Sequence, residues 1–119
     1  MKKLISARSF VAMLSVLAFS ATAWASLTST KGTADRIIIR PGYVQYDGAI
    51  ELRDSATGVM TTHYWGGGRC PGVAAPSDTQ INRLVNAHVG GHALSLDYNN
   101  VNTGAYGTSR CWDGGTMIW

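Results

Sequence analysis

Cys70 and Cys111 are the only two cysteines in the chain, and they constrain it more than any other feature. Each follows an arginine and sits beside tryptophan and glycine, in "WGGGRC" and "RCWDGG". In an oxidising compartment such a pair is read most simply as one disulfide. Bridging a loop of this length stabilises a small fold by roughly 4 kcal/mol in the chain-entropy account. A catalytic thiol, working with His63, His88 or His92, would have to avoid pairing with the other cysteine. That reading is disfavoured.

The compartment comes from the amino-terminal stretch. Lys2, Lys3 and Arg8 form a positive region, Phe10 to Ala23 is mostly apolar, and Ala23-Trp24-Ala25 fits the small-x-small rule for signal peptidase. The sequence therefore predicts a signal peptide over residues 1–25 and a single domain over 26–119. The apolar run is shorter than the roughly 20 residues a membrane span needs, so no membrane insertion is expected once the leader is cut. The protein is expected to be exported, periplasmic or secreted.

Cleavage changes the electrostatic reading. The full chain carries a formal +3, and the three leader cations account for all of it. From residue 26 onward seven cations face seven anions. A nucleic-acid partner calls for a basic excess, which is missing. Both phenylalanines lie in the leader, so every later aromatic is Tyr or Trp. Such side chains suit half-buried surfaces and binding faces, because each joins an apolar ring to a hydrogen-bonding group.

The patterning predicts an α+β fold, mainly β. Residues 35–40, "YVQY" at 43–46, 49–53 and 59–65 read as about four strands of an antiparallel meander, with Asp47-Gly48 as a two-residue hairpin turn. Ile50 and Leu52 share one face, as do Val59, Thr61, His63 and Trp65. Residues 26–33 read as a loose polar segment. Ser77 and Gln80 then form a capping box, with an amphipathic helix over 78–89 and a stop at Gly90-Gly91. Ile81, Leu84 and Val85 face inward, followed by His88 or Val89, while Asn82, Arg83 and Asn86 face out. Residues 92–98 read as a strand, 99–109 as a polar loop, and 115–119 as the last strand.

Candidate chemistry is sparse. Gly66-Gly67-Gly68 lacks the residues of a phosphate loop and reads as a sharp corner carrying Cys70 to its partner, with Tyr64, Trp65 and Arg69 at its rim. "HVGGH" places His88 and His92 four apart, but two glycines interrupt the spacing and no third metal ligand is set by it. Glu51 is the only glutamate, and no carboxylate pair is spaced for acid–base work. The sequence thus points to a non-enzyme with no metal and no cofactor. The four residues beside the cysteines, Trp65, Arg69, Arg110 and Trp112, are the candidate ligand-binding residues, because Trp and Arg are enriched at binding hot spots.

The order Cys70, capped helix from Ser77 to Gly91, alternating strand from His92 to Tyr98, Cys111, and final strand from Gly115 to Trp119 resembles that of small exported domains with an oligomer-binding (OB-like) barrel. These include the receptor-binding B subunits of A-B toxins of the subtilase-cytotoxin and pertussis-like type. The resemblance spans about half of the chain after the leader and is architectural. It implies a small barrel, a homo-oligomeric ring and binding of host glycans, with no sugar-pocket residue carried over. The resulting expectation is a non-catalytic binding module for a glycan or protein receptor. The alternative is a protein-interaction role, as an inhibitor or a cell-envelope accessory protein.

Overall fold

The computed structural model describes residues 26–119. The leader reading, over 1–25, lies outside the described residues. Six strands, β1 (Leu27–Thr28), β2 (Gly32–Ile39), β3 (Gly48–Asp54), β4 (Met60–Trp65), β5 (Ala93–Thr103) and β6 (Gly107–Ile118), form one sheet, with a single helix α1 (Asp78–Val89) between β4 and β5. The fold is α+β and mainly β. Strand order is β1-β5-β2-β3-β4-β6, and β5 also pairs with β6. All pairings are antiparallel except β4 with β6, which run parallel through His63↔Arg110 and Tyr64↔Cys111.

Alternation along the strands builds the core. Ile50 and Leu52 on β3, Trp65 on β4, Leu94 and Leu96 on β5 and Trp112 on β6 are buried, and Leu84 and Ala87 of α1 close over them. Ile37, opposite Ile50, and Ile118, opposite Leu94, pack against this cluster. The helix has both halves of its capping box. Gln80 N donates to Ser77 Oγ at 3.2 Å, and Ser77 N donates to Gln80 Oε1 at 2.8 Å. Asn82, Arg83 and Asn86 are exposed, His88 is half-buried and Val89 points to solvent. The Gln80 amide also lies over Gly114, whose φ of +103° and lack of side chain let the cap sit directly on β6.

Three expectations need correction. "YVQY" is not a strand, and Asp47-Gly48 is not a hairpin turn. Residues 40–47 form a loop between β2 and β3, and Gly48 already belongs to β3. Val44 and Gln45 give their carbonyls to Gly68 N and Arg69 N, at 3.0 and 2.9 Å. At Val44 and Gln45 the loop backbone is thus met by a distant turn rather than by a neighbouring strand. The meander is consequently three strands, β2-β3-β4, and the remaining early strand is β1, which pairs with β5 at Leu27↔Tyr98 and Thr28↔Asp97. That pairing and the start of β2 at Gly32 also give order to most of residues 26–33. Finally, 99–109 is not a loop. β5 and β6 continue as a ladder from Asn99↔Cys111 to Thr103↔Gly107, leaving a turn of only 104–106. Asn and Gly are poor strand formers, but cross-strand pairing overrides that local preference here.

Leu84 is fully buried while Arg83 beside it is exposed. Leu84→Ala should therefore lower stability by about 2–4 kcal/mol, and Arg83→Ala by less than about 0.5 kcal/mol. Urea unfolding followed by circular dichroism measures both, and the reverse ranking would mean that the inward face of α1 is wrongly assigned.

Candidate functional site

Cys70 and Cys111 are joined, with their Cα atoms 5.7 Å apart and both residues buried. The bridge ties the 3-10 turn that follows β4, Gly67–Arg69, to the middle of β6. No thiol remains free, so a cysteine nucleophile is ruled out in this state.

The four residues beside the cysteines divide into two pairs. Trp65 and Trp112 are core residues, 3% and 0% exposed, and meet edge to face at 5.4 Å. Trp112 Nε1 donates to the Gly115 carbonyl at 3.0 Å. A ligand rim that includes Trp112 is therefore incompatible with its burial. Being next to a cysteine does not decide which face of a strand a side chain takes, and alternation sends Trp112 to the side opposite Cys111. Arg69 and Arg110 stay at the surface. Arg69 is half-buried, reaching Gln45 Oε1 at 3.1 Å and Ser109 Oγ at 3.4 Å, and its Nε is buried without a partner. Arg110 is exposed and lies over the Tyr98 ring at 5.7 Å.

Around Arg69 the fold assembles a stripe of rings and guanidinium groups. Arg40 stacks on Tyr43 at 4.2 Å, Tyr43 meets Tyr46 at 5.0 Å, and Tyr46 meets Tyr64 at 5.2 Å. Arg69 then lies 4.7 Å from Tyr64 and 5.0 Å from Tyr106. The members come from the 40–47 loop, β4, the 3-10 turn and the β5–β6 turn. Each cation–π contact contributes about 0.5–1 kcal/mol at an exposed site, and each aromatic pair a similar amount. The glycine triplet makes this assembly possible. Gly67 has φ of +66°, and a Cβ there would run into the Tyr46 backbone. Only glycine lets the 40–47 loop lie against the turn.

Sequence reasoning identified Arg69 and Tyr64 and missed Tyr43, Tyr46 and Tyr106. The signal available was the run of tyrosines in a domain without phenylalanine, but no local pattern brings these rings together. The stripe is made of four tyrosines and two arginines, with no carboxylate among its members. It offers flat apolar faces, hydroxyls and guanidinium donors, a chemistry suited to binding.

The histidines are separated. His88 Nδ1 lies 2.7 Å from the Ala34 carbonyl oxygen, and His92 Nδ1 lies 2.8 Å from the Trp119 oxygen. Among the described residues no group of three His, Cys, Asp or Glu could hold a metal. His63 is 1% exposed, edge-on to Tyr98 at 5.1 Å, with neither ring nitrogen bonded. Burial, reinforced by the Arg110 charge, pushes its pKa down to about 4.

This depression carries a pH dependence. The unfolded chain protonates His63 near 6.5, whereas the folded chain keeps it neutral down to about 4. Between those values acid favours the unfolded state, so its contribution is intact above pH 6.5 and falls by about 3 kcal/mol on acidification to pH 4. His63→Phe should remove this slope, as read from the difference in melting temperature between the two proteins across pH 4–7.

No family model matches this chain, and neither the curated proteins nor the solved structures offer a match to it.

Proposed function

We propose that this is an exported, non-catalytic binding module, periplasmic or secreted, that takes a glycan on the Arg–Tyr stripe, in the manner of a toxin B subunit. The observation that carries the reading is the position of the stripe. Followed strand to strand, the pairings run β2–β3–β4–β6–β5 and back to β2. Taking these five strands in chain order, the helix falls between the third and fourth, β4 and β5, and β4 and β6 are the one parallel pair. These features support an OB-like barrel. In that architecture ligands are bound by the face of the second and third strands and by the loops joining strands one to two and four to five. Here those parts are β3, β4, the 40–47 loop and the 104–106 turn. Tyr46, Tyr64 and Tyr106 come from three of them, with Arg69 held between.

The physics fits a sugar. Tyrosine faces cover the apolar face of a pyranose ring, and guanidinium and amide groups serve its hydroxyls. The balanced charge after the leader gives no basic excess of the kind that favours a nucleic-acid partner. One observation favours the alternative, a protein receptor or target: Val44, inside the same loop, is 70% exposed, and apolar, Tyr and Arg side chains together make protein hot spots. The toxin-like reading adds a ring of several copies, which light scattering of the purified protein would detect.

A glycan array probed with the disulfide-bonded protein should give hits. Tyr64→Ala and Tyr106→Ala should each weaken them about tenfold, near 1.4 kcal/mol, with near-ultraviolet circular dichroism unchanged. An empty array combined with recovery of a defined protein from envelope or host-cell extract would replace the glycan by a protein partner. Undiminished glycan binding in the Tyr64→Ala/Tyr106→Ala double variant would remove the stripe from the site.

A further inference from the structure

We propose that the cleft between the first turn of α1 and the 40–47 loop is a second site, which receives a basic side chain, arginine or lysine, from a protein partner. The cleft has a volume of about 510 Å³. Ile39, Pro41 and Ile81 give it apolar walls, Trp65 lies at its base, and Asp47 and Asp78 line it with carboxylates. No lysine, arginine or histidine lines it. Such a lining matches a cation on an aliphatic stem, because long basic side chains bury their methylenes and keep the charged tip at a polar boundary.

Two further observations point to an occupant. The ion pairs among the described residues are Arg36–Glu51 and Arg53–Asp35, so Asp47 and Asp78 face the cleft without a cation. Asp47 uses Oδ1 to accept from Gly42 N at 3.1 Å, and Asp78 is exposed in the first turn of the helix. The second observation is Trp65 itself. It is 97% buried, and while the Trp112 indole N–H has the Gly115 carbonyl, the Trp65 indole N–H has no acceptor among the described residues. That N–H is not among the fully enclosed polar atoms that lack a partner; on the lining of the cleft it is positioned to donate to the main-chain carbonyl of an inserted residue. The cleft and the stripe are chemically opposite, one acidic with apolar walls and the other cationic and aromatic. The inference therefore does not depend on the stripe's ligand.

The test is a titration of the ¹⁵N-labelled disulfide-bonded protein with N-acetyl-arginine-methylamide, and with its neutral isostere N-acetyl-citrulline-methylamide. The readout is the Trp65 indole N–H resonance, assigned by its loss in Trp65→Phe. The proposal expects a saturable shift with the arginine probe and affinity weaker by about tenfold with citrulline. It also expects weakening by about threefold or more in Asp78→Asn and in Asp47→Asn, which keeps the acceptor for Gly42 N. If Asp47→Asn fails to fold, Asp78→Asn decides alone, since that residue is exposed. No saturable shift, equal affinity for the two probes, or unchanged affinity in Asp78→Asn would overturn it. Tyr64→Ala, which tests the stripe, should leave this titration unchanged, so either site can fail without the other.

Discussion

The parallel junction of β4 with β6 is the joint on which the rest of the sheet depends. It consists of two registered residue pairs, His63↔Arg110 and Tyr64↔Cys111, whereas β5 and β6 are in register at nine. A ladder this short between strands so far apart in sequence contributes little by itself against the entropy of bringing them together. The disulfide acts at this point. One of its cysteines is in the ladder, and the other ends the turn that leaves β4. A constraint of about 4 kcal/mol on the unfolded chain is a large share of what a domain of this size has in total, and it falls at one of the short ladders of the sheet.

The same joint organises the surface. With Cys70 held against β6, the 3-10 turn before it has a fixed position, and the 40–47 loop docks on that turn through two backbone hydrogen bonds. Arg69, one residue before the bridge, is then trapped between Tyr64 and Tyr106. The stripe is thus a consequence of the covalent tie and the glycine triplet acting together. On the other side of the loop, Asp47 and Trp65 face the first turn of α1. One eight-residue connection thereby borders two surfaces of opposite chemistry.

The core records a compromise at the same place. His63 occupies a fully buried position on β4 with both ring nitrogens unbonded, where an aliphatic or aromatic residue would cost less. Its neighbours are Tyr98 and the charged Arg110. The junction that the disulfide strengthens is therefore also the part of the core most sensitive to acid.

Some of this was legible in the chain alone. The disulfide followed from two cysteines in a sequence read as exported, and α1 was placed at its observed limits because capping and helical periodicity are local signals, carried by residues three or four apart. The inward faces of β3 and β4 at Ile50, Leu52, His63 and Trp65 followed from alternation for the same reason. What failed were features whose non-covalent partners are remote. "YVQY" has a strand's alternation, yet its carbonyls are met by Gly68 and Arg69. The Asn- and Gly-rich 99–109 segment looks like a loop, yet Asn99 to Thr103 pair with Gly107 to Cys111, leaving only 104–106 as a turn. Trp112 sits beside a cysteine, yet it packs into the core while Arg110 on the same strand stays outside. Local periodicity, caps and covalent pairing are determined by the sequence itself, because their energies arise between residues close along the chain or joined by a bond. Which rings and charges share a surface was decided only by the tertiary structure, because those contacts form after distant strands have found their register.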